Sequence, residues 1–138
     1  MTGGATGAGP GGRHQRSYQY VVLRCVPRAD REEFVNVGVV LFCEATGLLR
    51  LARGVDPDRL RALDPTLDLD RVTAALEFVD GVCEGDERGG TAAQQSIGSR
   101  FGFLKAPRST VIRPGPVHGG VTADPERELE RLLVRLVG

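Results

Sequence analysis

Apolar residues follow two rhythms along this chain, and each change of rhythm marks an element. The run from Tyr18 to Val26 is rich in β-branched and aromatic residues and holds no breaker, so it reads as a strand that Pro27 ends. Tyr18, Tyr20, Val22, Arg24 and Val26 fall on one face, and Gln19, Val21, Leu23 and Cys25 on the other. Both faces are largely apolar, which predicts a central place in a sheet. Phe34 to Cys43 reads as a second strand. Simple alternation puts Val35, Val37, Val39 and Leu41 on one face and Asn36, Gly38, Val40 and Phe42 on the other. Glu44 to Gly47 has the composition of a hairpin loop, and Leu48 to Arg53 returns as a third strand. The three form an antiparallel meander.

The rhythm then turns helical. Asp56-Pro57 opens a short helix with Leu60 and Leu63 as its apolar contacts, and Asp64-Pro65 breaks it. From about Asp68 to Glu84, Leu69, Val72, Leu76, Val79 and Cys83 recur three and four residues apart and form one apolar stripe. Gly85 to Gln95 is polar and predicts a loop. Between Ser96 and Ile112 the signals conflict. Phe101, Phe103 and the run Thr110-Val-Ile112 favour one or two further strands, with Ala106-Pro107 between them. Pro114 to Pro116 reads as a turn. The last helix is the clearest: Asp124 caps it, Pro125 takes its first position, and Leu129, Leu132, Leu133, Leu136 and Val137 keep helical spacing. The order of elements predicts an α+β fold: an antiparallel sheet of about four to five strands, helices packed on one face, and a C-terminal amphipathic helix.

Composition adds limits. The chain has 138 residues, a length for one domain with its own core. Glycine crowds the first 14 residues, where no apolar periodicity exists, so residues 1–15 are expected to be a disordered tail and residues 16–138 the single folded domain. No apolar run is long enough for a membrane span, and the N-terminus lacks the apolar core of a signal peptide. Cys25, Cys43 and Cys83 lack the close pairs of a structural zinc site and read as buried, reduced thiols, which fits a cytoplasmic protein. The glycine spacing matches neither the phosphate loop nor the dinucleotide fingerprint. No cofactor and no metal are expected.

Charge changes the picture more. The 18 basic and 18 acidic side chains cancel, which argues against a bulk polyanion binder. They are nevertheless segregated. Residues 1–28 and 88–123 hold basic residues and no acid, whereas residues 54–87 hold ten acids against Arg59, Arg61 and Arg71. If the two acid-free segments lie side by side, they make an anion site from Arg24, Arg100 and Arg108. The alternative is that the basic surface docks on the acidic helix of the same fold.

Polar residues inside apolar strands are the remaining candidates. Asn36 and Gly38 interrupt the second strand, as a bulge with a satisfied structural Asn or as a ligand contact. Arg24 interrupts the first. Arg108-Ser109-Thr110 and the glycine-flanked His118 form the densest polar run of the folded part. His118 is either a general base or a loop histidine bonded to backbone, and no Ser–His–Asp arrangement is indicated. Antiparallel pairing of the first two strands brings Arg24 near Asn36. The set Arg24, Asn36, Arg108 and His118 is therefore expected to converge on one surface.

These residues also carry a resemblance. The stretch Tyr18 to Arg24, Val26-Pro27 and Glu33 to Leu41 with its Asn36-Val-Gly38 signature is similar to the opening of a bacterial family of unknown function, DUF3037. Phe103-Leu104, Arg108-Ser109, Pro116 to His118, Asp124-Pro125 and the closing Leu-rich helix resemble that family's C-terminal pattern. Cys25 stands where the family pattern has an aromatic, a departure that concerns packing. The resemblance implies no activity or cofactor. It does imply a setting, because such proteins resemble those encoded beside HipA-like kinases. Three readings follow, in this order: a non-enzymatic interaction module, the partner of a HipA-like kinase; an anion- or nucleic-acid-binding domain built on the Arg cluster; and a small enzyme with His118 and arginines in a cleft.

Overall fold

A computed structural model describes residues 14–138, so the expected tail lies almost wholly outside the described residues. Five strands, β1 (Arg16–Cys25), β2 (Val35–Cys43), β3 (Leu48–Arg53), β4 (Ile112–Pro114) and β5 (His118–Thr122), form one antiparallel sheet. Four α-helices accompany it: α1 (Pro57–Leu63), α2 (Leu69–Glu84), α3 (Ile97–Lys105) and α4 (Pro125–Leu136). The expected α+β class and the meander β1–β2–β3 are present.

β1 is central, as its two apolar faces demand. β2 covers one edge, and β5 and β4 follow one another along the other edge. β5 pairs with Arg16 to Tyr20 and β4 with Leu23 to Cys25, in registers offset by one residue. They are two halves of one edge strand, interrupted at Gly115 to Val117; the turn expected over Pro114 to Pro116 does not form, because both halves pair with β1 in the same direction. The Gly115 amide still bonds the Val22 carbonyl at 2.8 Å across the break.

On the opposite edge, Leu23 pairs with Gly38 and Arg24 with Asn36, so Val37 is an extra residue and the strand bulges there. This bulge corrects the simple alternation. Val35 and Val37 stay with Val40 on the face of Val21, Leu23 and Cys25, while Val39, Leu41 and Cys43 turn to the face of Tyr18. It also corrects the expectation of helices on one face. Leu76 and Val79 of α2 with Phe101 and Leu104 of α3 cover the first core, and Leu129 and Leu132 of α4 cover the second. An amphipathic helix needs a second apolar face, and the bulge supplies it by rotating half of β2.

Two local expectations are overturned. Residues 97–105 are a helix, not a strand. Ile97, Phe101 and Leu104 sit four and three apart and pack into the first core, and the Ser96 hydroxyl accepts the Ser99 amide at the helix start. That packing outweighs the weak helix propensity of Gly98 and Gly102. The segment around His118 is a strand because β1 offers it an open edge. Part of the expected loop, Glu87–Gln94, winds into 3₁₀ turns.

Candidate functional site

The site is built where β1, β4 and the segment after α3 meet. Arg24 of β1 has Asn36 across one ladder and Arg113 across the other, so these three side chains share a face of the sheet. Two cations directly opposite repel, and the surroundings show how they are held. The Arg24 guanidinium lies over the Phe34 ring, 4.3 Å from its centroid. The guanidinium also packs on Gly115, where a Cβ would stand 3.2 Å from the guanidinium carbon and would press on it. Phe34 is 44% exposed and takes no part in the core; it serves as a platform for the cation. The Arg24 Nε is buried without a hydrogen-bond partner.

Arg113 donates from Nε to the Thr110 carbonyl at 2.9 Å and from its terminal nitrogen to the Ser109 carbonyl at 3.4 Å. Arg108 stacks over the Phe103 ring at 4.7 Å and donates to the Phe103 carbonyl. Burial lowers the pKa of the Arg108 guanidinium, because the charged form has lost part of its water. Arg24, Arg108 and Arg113 are each half-buried, and together they line a pocket of about 280 Å³ with Phe34, Pro114 and Glu32 on its rim. Among the described residues none of the three forms an ion pair with a carboxylate. The acidic segment is engaged elsewhere. Glu77, Asp80 and Asp86 are held by Arg53 and Arg88.

The structure thus brings Arg24 and Arg108 together; Ser109 does not line the pocket and contributes only its carbonyl, which accepts from Arg113. It does not bring in the others. Asn36 neighbours Arg24 in register, yet its Nδ2 donates to the Leu136 carbonyl at 3.0 Å and fastens the end of α4. His118 pairs with Tyr20, and their rings stack 5.2 Å apart. At about 3.3 Å per residue, Tyr20 is roughly 13 Å along the strand from Arg24. The Arg100 guanidinium packs against Gly85 at the C-terminal end of α2, where a cation complements the helix dipole. Sequence reasoning missed Arg113 and the two phenylalanine platforms. Phe34, read from sequence as the first residue of the second strand, lies just before it, and Arg113 depends on which strand edge β4 chooses.

Burial pushes the Cys25 thiol up to about 11, and burial with Asp80 and Glu84 nearby pushes Cys83 up to about 12, so both stay protonated near neutral pH. Among the described residues no helix is long and apolar enough to cross a membrane.

Fold and site together define a small α+β protein with an arginine-lined pocket at the margin of its sheet. The chain belongs to the family described as protein of unknown function (DUF3037), whose sequence model matches residues 20–137. Comparison with curated proteins and with solved structures finds no match to either.

Proposed function

We propose that this protein is a non-enzymatic, cytoplasmic binding module that captures a carboxylate or phosphate group in the Arg24–Arg108–Arg113 pocket. One observation carries the reading: three half-buried guanidiniums face one cavity and, among the described residues, no carboxylate is paired to them. Partly desolvated like charges cost free energy, and an anion placed between them recovers it through charge-assisted hydrogen bonds. A pocket of about 280 Å³ suits a single anionic group, not the tracked phosphate backbone of a nucleic acid. The anion is carried by a partner protein or a small ligand. The family resemblance makes a HipA-like kinase the first partner to test.

The test is titration of the full chain with inorganic phosphate and with acetate at low salt, followed by amide chemical shifts. Shifts should concentrate at Arg24, Arg108, Arg113 and their neighbours. Arg24→Gln and Arg108→Gln should each weaken binding about tenfold, equivalent to about 1.4 kcal/mol, with circular dichroism unchanged. The absence of saturable shifts at these residues overturns the reading.

A further inference from the structure

The arginine pocket has an apolar neighbour. Leu23, Phe78, Val79, Leu104 and Ile112 wall a second cavity of about 190 Å³ between the sheet and helices α2 and α3, with Ala75 facing it from α2. Leu23 and Ile112 lie on the face of the sheet opposite Arg24 and Arg113, but Arg108 and Pro114 line both cavities, so the two meet around the free edge of β4. An apolar cavity of about 150 Å³ is enough to hold a benzene ring. The two spaces therefore differ in chemistry and share one guanidinium. Arg108 is fixed in that shared position by the Phe103 ring and the Phe103 carbonyl.

We infer that one ligand uses both at that edge: a benzene-sized aromatic or branched aliphatic group in the apolar cavity, joined to a carboxylate that Arg108, the guanidinium common to the two cavities, receives. This rests on the anion reading above and adds the rest of the ligand. Seating the apolar group takes its own surface and that of the partly exposed Phe78 out of water, and the lowered polarity strengthens the ion pair at Arg108. Ligand chemistry of this kind has two sources. One is a free arylalkanoic acid. The other is the C-terminal residue of a partner protein, whose apolar side chain and α-carboxylate lie one carbon apart.

The experiment is calorimetric titration of the full chain with acetate, 3-phenylpropionate, 3-phenylpropanol and N-acetylphenylalanine. 3-Phenylpropionate should bind at least tenfold more tightly than acetate, and 3-phenylpropanol at least tenfold more weakly than 3-phenylpropionate. Ala75→Phe, which fills the apolar cavity, should bring 3-phenylpropionate to within about threefold of acetate while acetate binding persists. If Ala75→Phe does not fold, Ala75→Leu gives the same comparison. A tighter complex with N-acetylphenylalanine than with 3-phenylpropionate identifies a protein C-terminus as the source, and the reverse identifies a free acid. If acetate binds and 3-phenylpropionate binds no better, this inference falls and the anion reading stands. If no anion binds, both fall. Equal binding of the acid and the alcohol also overturns the inference.

Discussion

The phenol of Tyr18 lies directly over Gly120, its partner across the β1–β5 ladder. A Cβ at position 120 would stand 2.7 Å from the phenol oxygen and 2.8 Å from the ring carbon that bears it. Tyr18 cannot simply swing aside. It is buried, and its hydroxyl donates to Glu128 of α4, which Arg131 grips with two nitrogens at 2.9 and 2.6 Å. Gly120→Ala should therefore destabilise the protein by about 1–3 kcal/mol through overpacking. Denaturant titration measures it, and adding Tyr18→Leu to the Gly120→Ala variant should erase most of the extra cost of the alanine.

The same contact makes stability depend on pH at both extremes. Hydrogen bonds from Arg131, then from Tyr18, hold the Glu128 carboxyl down at about 2. Its contribution is present above the usual carboxylate pKa near 4.5 and is lost as pH falls toward 2. Burial and the Glu128 hydrogen bond push Tyr18 up to about 12 from 10.0. That contribution is present below pH 10 and is lost as pH rises toward 12. Glu128→Gln should flatten the acid limb of the profile of unfolding free energy against pH. A limb as steep as that of the wild type would assign acid lability to other carboxylates.

Glu32 closes the 3₁₀ turn Ala29–Arg31 with φ 56° and ψ 23°, and it is the only non-glycine residue with positive φ among the described residues. A side chain pays about 1–2 kcal/mol for that conformation. Glu32→Gly relieves it, at a loss of about 0.5–1 kcal/mol from the freer unfolded chain. The midpoint of denaturation should stay level or rise slightly. Because Glu32 is the acid on the rim of the arginine pocket, acetate and phosphate should bind about two- to fivefold more tightly at low salt, a gain that fades as salt is added. Calorimetry at two salt concentrations checks it.

The start of α4 is set by Asp124, whose carboxylate accepts the Arg127 amide at 3.1 Å, with Pro125 in the first turn. Asp124→Ala should cost about 1 kcal/mol in denaturant titration, and Asp124→Ser should restore most of it.

Much of this molecule is decided by neighbours in sequence. β1, β2 and β3 follow from their β-branched runs, and α1, α2 and α4 from apolar spacing with Asp56, Asp68 and Asp124 as caps. These signals act over a turn or a few residues, so they can be read along the chain. Arg24 beside Asn36 was legible because it joins strands linked by a short connection. Tertiary structure decided what local spacing leaves open. Phe101 sits in a helix because its neighbours Ile97 and Leu104 find the first core, and His118 sits in a strand because β1 has a free edge. One extra residue at Val37 turns Val39 and Leu41 toward α4, so helices cover both faces. The site depends most on this long-range choice. Arg113 meets Arg24 only because β4 docks in that register on that edge, and a cross-strand pairing between segments so far apart leaves no period in the sequence to read.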